Sequence, residues 1–295
     1  MDLLAQVALN GLIAGSMYAL VAIGYNLVYG VLKFINFAHG DVAMVGAYVA
    51  FFLTGAGVVS AGRLAGAVVA AAAFCALLGV LIERAVYRPL RAAPRLQPLI
   101  AAIGAALALQ SAVMLLAGAG IRSLTLEGPG VIRLGSLYLT PSQILIFAMG
   151  LLLLVAVQFL VYRTPFGADI RATADNLALA HALGIDVDRV MRAVFALGSA
   201  LAGVGGLLVG LEVQLAPTMG FSVGMKAFSA VVLGGIGSLP GAIAGSFIIG
   251  LTEHFTAWFT SSLWKETVAY LALVLTLLVR PSGLFGRRAE EAVRS

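Results

Sequence analysis

Eight long apolar blocks, bounded by charge, Pro and Gly, follow one another along the chain. They run Leu3 to Val31, Asp41 to Ala56, Gly62 to Ile82, Leu96 to Ala119, Ser142 to Val161, Val190 to Leu211, Gly224 to Thr252 and Leu263 to Val279. A helix needs about 20 mostly apolar residues to cross the hydrocarbon core of a bilayer. Barrel strands would read instead as segments of about ten residues alternating in hydrophobicity, which runs this long and this rich in Leu, Ala and Val do not do. The expected fold is therefore an all-α polytopic membrane protein, a single transmembrane domain over residues 1–295 with little mass outside the bilayer. Composition agrees: of 295 residues, 61% are hydrophobic and 11% charged, against roughly 25% charged in soluble domains.

The net charge of +5 does not point to nucleic acid, because the arginines fall at the ends of apolar segments. They form three clusters: Arg84, Arg88, Arg91 and Arg95; Arg163, Arg171, Arg189 and Arg192; and Arg280, Arg287, Arg288 and Arg294. The positive-inside rule sets all three in the cytoplasm, with the N-terminus outside and the C-terminus cytoplasmic. That arrangement needs an odd number of crossings, so nine are expected from eight blocks. The block to divide is Gly224 to Thr252, interrupted by Gly234-Gly235-Ile236-Gly237-Ser238-Leu239-Pro240-Gly241. Gly costs about 1 kcal/mol and Pro about 3 in a helix interior, so two short helices or a re-entrant hairpin are expected there. Trp258 and Trp264 flank Thr260-Ser261-Ser262 as an aromatic belt at the outer interface would. Met1-Asp2-Leu3-Leu4 lacks the basic start of a secretory signal, so the first segment is expected to stay as a helix. Cys75, alone in an apolar run, reads as a packed core thiol.

A second interruption, Lys33 to Asp41, precedes a block short for a full span. Short, Gly-interrupted segments in both halves of a transporter point to its substrate path. The candidate path residues are Asn36, His39, Asp41, Gly234, Gly235 and Gly237. A half-helix beginning near Asp41 would offer free N–H groups to a carboxylate; the same residues also read as a plain N-cap. Gly40-x-x-Ala43-x-x-Gly46-Ala47-Tyr48 loosely echoes Gly241-x-x-Ala244-Gly245-Ser246-Phe247, which leaves an internal repeat open. Glu212, Gln214, Lys226 and Glu253 are further polar residues at membrane depth and so functional candidates. Asn10, Asn26 and Gln110 are better explained by hydrogen bonds between helices. Gly198, Ala202, Gly206 and Gly210 recur every four positions and suit close helix packing.

The chain carries no nucleotide motif: a P-loop places Gly directly before its Lys, whereas Lys33, Lys226 and Lys265 follow Leu, Met and Trp. Any ATP and Mg must sit on another subunit. The three histidines lie in separate segments without metal spacing, and no Gly-x-Ser-x-Gly elbow appears, so neither a metal site nor a catalytic one is expected. The longest hydrophilic stretch is a cytoplasmic loop at 163–190. Within it Asp175, Ala180, Leu183, Gly184, Ile185 and Asp186 mark a short amphipathic helix with a Gly stop. The neighbouring Asp169 and Asp188 disfavour an anionic surface, so this helix is expected to dock onto a protein.

One family combines these features. Gly15-Ser16-x-Tyr18-Ala19-Leu20 leads to Ile35-Asn36-Phe37-Ala38-His39-Gly40-Asp41. Glu83-Arg84-x-x-Tyr87-Arg88-Pro89, Ala180-x-x-Leu183-Gly184-Ile185, Met225-Lys226-Ala227-Phe228 and Val232-Leu233-Gly234-Gly235-Ile236-Gly237-Ser238-x-Pro240-Gly241 follow in order. Nearly the whole chain resembles the LivH-type permease of branched-chain amino acid ABC importers. The resemblance implies a LivM-like permease partner, two cytoplasmic ABC ATPase subunits and an extracytoplasmic amino-acid-binding protein, in the bacterial inner membrane. It also implies that Ala180 to Asp186 docks onto the ATPase, Gly184 holding the family's glycine position. Relatives that carry urea or short amides share much the same motifs. From the residues alone, an ion-coupled carrier using Asp41, Glu212 or Glu253 remains the alternative of another class.

Overall fold

The computed structural model describes residues 2–286 except 56, 92, 95 and 129. Arg95, Arg287, Arg288 and Arg294 of the basic clusters therefore lie outside the described residues, as do Met1 and Ala56. The chain is mainly helical: α1 (Asp2–Leu32), α2 (His39–Thr54), α3 (Ala61–Ile82), α4 (Leu96–Ala117), α5 (Pro141–Arg163), α6 (Pro165–Asp175), α7 (Leu177–Ala182), α8 (Val187–Glu212), α9 (Met219–Gly234), α10 (Leu239–Phe259) and α11 (Trp264–Val279). Five of the described helices are long and apolar enough to cross a membrane, which makes this a polytopic membrane protein. The loops add two small ribbons that the apolar pattern did not announce. One pairs β1 (Gly57–Val59) in parallel with β2 (Leu124–Leu126); the other pairs β3 (Ile132–Leu134) antiparallel with β4 (Leu137–Leu139).

Burial sorts the helices. The apolar windows of α1 and α8 are 78% buried, whereas those of α3, α4 and α5 are 28%, 17% and 28% buried. The core is thus the pair α1 and α8, and the other three present apolar side chains outward, as a lipid solvent allows. Small residues let the central helices approach. A Cβ on Gly24 of α1 would lie 2.7 Å from the Gly198 carbonyl of α8; one on Gly11 or Gly15 would reach α10 backbone at 2.8 Å. Gly206 faces the Ala43 backbone of α2, Gly210 packs near Ala47, and Ala202 between them is fully buried. Cys75 is enclosed, its thiol 3.5 Å from the Val42 carbonyl and against Gly203.

The interrupted block resolves into two helices whose break, 235–238, lies inside the Gly and Pro interruption; the first helix starts earlier than the block, and the repeat has another register than Gly40 with Gly241. α9 begins at Met219, five residues before the apolar block, because Gly220 and Ser222 are helical without being strongly apolar. It ends at Gly234, and a short turn leads into α10. The counterpart of α9 is α2: both are 16-residue helices, and each follows a link of equal length, 33–38 and 213–218. Gly40, Ala47, Ala50, Leu53, Gly55 and Gly57 recur as Gly220, Ala227, Ala230, Leu233, Gly235 and Gly237. In both copies the last two glycines have positive φ, 78° and 111° against 112° and 91°. The partners correspond as well: α1 packs on α10 where α8 packs on α3, and α9 on α10 where α2 packs on α3.

Two glycines of these turns, not counterparts in the repeat, share a backbone conformation in unlike surroundings. Gly235 and Gly57 share a φ near 110°, but a Cβ at Gly235 would come within 3.0 Å of the Gly286 Cα, while Gly57 has open space. Gly57→Ala is expected to cost only its backbone strain, on the order of 1–3 kcal/mol. Gly235→Ala should cost that plus displacement of the C-terminal segment, and thermal unfolding in detergent compares the two.

Candidate functional site

The link 33–38 runs back into the bundle because Asn36 organises it. Its Oδ1 accepts the Ala38 amide at 3.1 Å, an Asx-type turn, and the Tyr87 hydroxyl at 2.7 Å. Ala38, with no side-chain cap of its own, then starts α2, and His39, Gly40 and Asp41 form the first turn. The plain N-cap is thus not one of the candidate residues. Asp41 sits within that first turn, where the helix dipole favours a carboxylate, and accepts a hydrogen bond from Gln110 of α4 at 2.9 Å.

This first turn of α2 meets the first turns of α9. A Cβ on Gly40 would lie 2.7 Å from the Gly224 Cα, and one on Gly220 would lie 2.8 Å from the Asp41 Cα. Only glycine allows the two backbones so close, so two helix N-termini are brought together inside the protein. His39 is fully buried beside them, its ring 4.6 Å from that of Tyr25, and neither ring nitrogen meets a partner at hydrogen-bond geometry. Tyr25 and Phe37 both lean on Phe228 of α9, at 6.1 Å and 6.2 Å between ring centres.

The candidate path residues fall into two groups. Asn36, His39 and Asp41 gather at the α2–α9 junction. Gly234, Gly235 and Gly237 lie at the far end of α9. There the Gly237 amide donates to Asn26 Oδ1 at 2.6 Å, and Phe285 donates to the Gly234 carbonyl at 2.8 Å. Asn26 and Gln110 make the contacts between elements expected of them, whereas Asn10 only accepts from Gln6 of its own helix at 3.1 Å. Glu212 accepts from Gln143 of α5 at 3.1 Å.

Two charged clusters lie apart from the junction. Glu253 of α10 is buried, 3.3 Å from Lys226 of α9, and accepts the Tyr18 hydroxyl of α1 at 2.9 Å. The second cluster was not visible in the sequence. Glu83 opens a π-helical turn, Glu83–Tyr87, fully enclosed and paired with Arg91; Arg91 also meets Asp188 at 2.5 Å, and Arg88 meets Asp188 at 3.0 Å. Its only sequence signal is an acid closing an apolar helix just ahead of an arginine series. π turns of this kind are frequent at functional sites; here the turn aims Tyr87 at Asn36.

In the hydrophilic stretch, Asp175 ends α6, Asn176 caps α7 by accepting the Leu179 amide, and Asp186 caps α8 by accepting the Arg189 amide. Ala180 is the buried side of α7, while Leu183 is 69% exposed. Gly184 ends the segment at φ 82° with open space around it, followed by Ile185.

Removing Asn36 should hurt more than removing its partner. Asn36→Ala leaves the buried Tyr87 hydroxyl without an acceptor, a loss of about 1–3 kcal/mol. Tyr87→Phe keeps the Ala38 bond and should cost about 1 kcal/mol. Thermal melts of the two variants give the order.

Comparison with known proteins bears on this arrangement. A family model described as branched-chain amino acid transport system / permease component matches residues 7–277. The permease protein BraD of the high-affinity branched-chain amino acid transport system of Pseudomonas aeruginosa is 39% identical over 303 residues, covering 98% of this chain and 97% of that protein. LivH of Escherichia coli (strain K12), named in the same terms, is 40% identical over 304 residues with the same coverage. Among solved structures, PsaBC from Streptococcus pneumoniae in complex with Fab aligns with a TM-score of 0.50 at 13% identity, over 94% of this chain and 92% of that one. That likeness concerns the fold alone.

Proposed function

The chain belongs to the branched-chain amino acid transport permease family, and from that membership we propose that it is the membrane subunit of an ATP-binding cassette importer for leucine, isoleucine and valine. The observation that carries this reading is identity of about 40% with named permeases over 98% of the chain. The subunit itself is a transport component and not an enzyme; ATP and Mg belong to two cytoplasmic ATPase partners. A LivM-like permease and an extracytoplasmic amino-acid-binding protein complete the assembly in the inner membrane.

In this reading α1 to α5 and α8 to α11 make nine crossings of one permease domain, with the N-terminus outside and the C-terminus cytoplasmic. The path runs past Asn36, His39 and Asp41 where α2 meets α9, and the Gly234, Gly235 and Gly237 turn is the hinge at α9's other end. Glycine contacts at Gly40 and Gly224 close the path; separating the two first turns opens it and exposes N–H groups and His39 to a zwitterion. The loop at 163–190 transmits the ATPase motion through Asp175, Ala180, Leu183, Gly184, Ile185 and Asp186. Because α8 begins at the end of that loop, its displacement moves the glycine face that holds α1 and α2. Nucleotide acts only by its differential affinity for the two states.

The deciding experiment expresses the chain with its neighbouring genes and assays liposomes for uptake of leucine, urea and a short amide. Leucine uptake that requires ATP is expected. Gly184→Glu should abolish it, while Gly184→Asn, which keeps the left-handed backbone, should retain most of it. Uptake by the lone chain under an ion gradient, or preference for urea, would overturn the mechanism or the cargo respectively.

A further inference from the structure

Between α5 and α10 lies a groove of 560 Å³. Leu151, Leu154, Val155 and Phe159 of α5 form one wall, and Ile243 and Phe247 of α10 the other. Leu151, Val155 and Phe159 are exposed, so none of the described residues covers them. From Leu151 to Arg163 the α5 wall is about 18 Å long at 1.5 Å per residue, close to half of a ~30 Å hydrocarbon core. The groove is one leaflet deep.

Its two ends differ. The deep end is entirely apolar, whereas the mouth gathers Gln158, Tyr162 and Arg163. Arg171 of α6 adds a second guanidinium there: it lies over the Tyr162 ring at 5.7 Å and donates to the Val161 carbonyl. Among the described residues neither Arg163 nor Arg171 forms an ion pair. An acyl-length apolar slot ending in two uncompensated guanidiniums has the chemistry of a phospholipid with an anionic head. Arginine binds phosphate oxygens in bidentate fashion, and basic pockets between membrane helices take acidic headgroups.

We infer that the groove between α5 and α10 binds an anionic glycerophospholipid, with an acyl chain along Leu151 to Phe159 and its phosphate at Arg163 and Arg171. The lipid fills the gap over α1 that α5 and α10 leave open, and its headgroup ties the end of α5 to the start of the loop at 163–190. This site goes beyond the importer reading and stands whatever the cargo.

The test uses the chain purified with its partner subunits. Trp258 and Trp264 are changed to Phe, Phe159→Trp sets a reporter in the groove, and the complex is placed in phosphatidylcholine nanodiscs holding a minor fraction of brominated phosphatidylglycerol or brominated phosphatidylcholine. Quenching several-fold stronger by the brominated phosphatidylglycerol is expected. Arg163→Ala and Arg171→Ala should each weaken that preference roughly fivefold, the effect of one basic residue near an anionic headgroup, and Arg163→Lys should restore most of it. Equal quenching by the two lipids would reduce the groove to ordinary lipid contact and overturn the inference. So would quenching seen in the lone chain and lost in the complex, since a partner subunit would then occupy the groove.

Discussion

Arg91→Ala is expected to be the most damaging single truncation of a charged side chain in this protein, lowering stability by about 3–5 kcal/mol. The carboxylate it would abandon, that of Glu83, is fully enclosed, with Oε1 on Arg91 and Oε2 already without a partner. Alanine at 91 also frees Asp188, but that residue keeps Arg88 at 3.0 Å and is half-exposed, where an ion pair contributes little. The damage is therefore that of one stranded buried charge. Removing both charges with Glu83→Leu and Arg91→Leu should recover most of the loss, because a buried ion pair stabilises little over a packed apolar pair. Thermal melts of purified variants decide it; a double variant as unstable as Arg91→Ala would show that the loss comes from packing and not from charge.

Gly206→Leu should be comparably severe for a different reason. A Cβ at that position runs into the carbonyl and Cα of Ala43, atoms of α2 backbone that cannot rotate aside. Overpacking commonly costs about 1–3 kcal/mol and more when backbone must move; here the separation of α2 from α8 would displace the α2–α9 junction too. Gly66→Leu on α3, with open space around it, is the control and should be tolerated. Yield and monodispersity after detergent extraction, followed by a thermal melt, measure both. Equal behaviour of the two variants would contradict the close approach of α2 and α8.

The contrast between these two positions shows what the sequence could and could not reveal. Long apolar blocks are legible because the bilayer demands a minimum length, and the Gly and Pro interruption after Val232 announced its turn. Close packing was legible at Gly198, Ala202, Gly206 and Gly210 from spacing alone. The start of α9 was missed because a helix enclosed by other helices need not be apolar at each position, and Gly220 and Ser222 broke the pattern. The register of the repeat was missed because little survives between the copies beyond residues that backbone geometry demands, such as Gly40 with Gly220 and Gly55 with Gly235. The Glu83 cluster was invisible because Arg88 and Asp188 stand 100 residues apart, and pairing at that separation leaves no local period.

One of the two central helices, α1, is made long before the elements that enclose it. Asn26 of α1 waits for Gly237, 211 residues downstream, and Tyr18 waits for Glu253, 235 residues downstream. At typical rates of synthesis of 5–20 residues per second, that is roughly 10–50 s. During this interval a helix destined for deep burial stands in lipid, its Asn and Tyr groups without their final partners and its glycine faces bare. For α1, enclosure comes long after manufacture. How much protein a cell accumulates will therefore depend on how well the membrane insertion machinery shelters α1 until α10 arrives, a demand separate from the stability of the finished molecule.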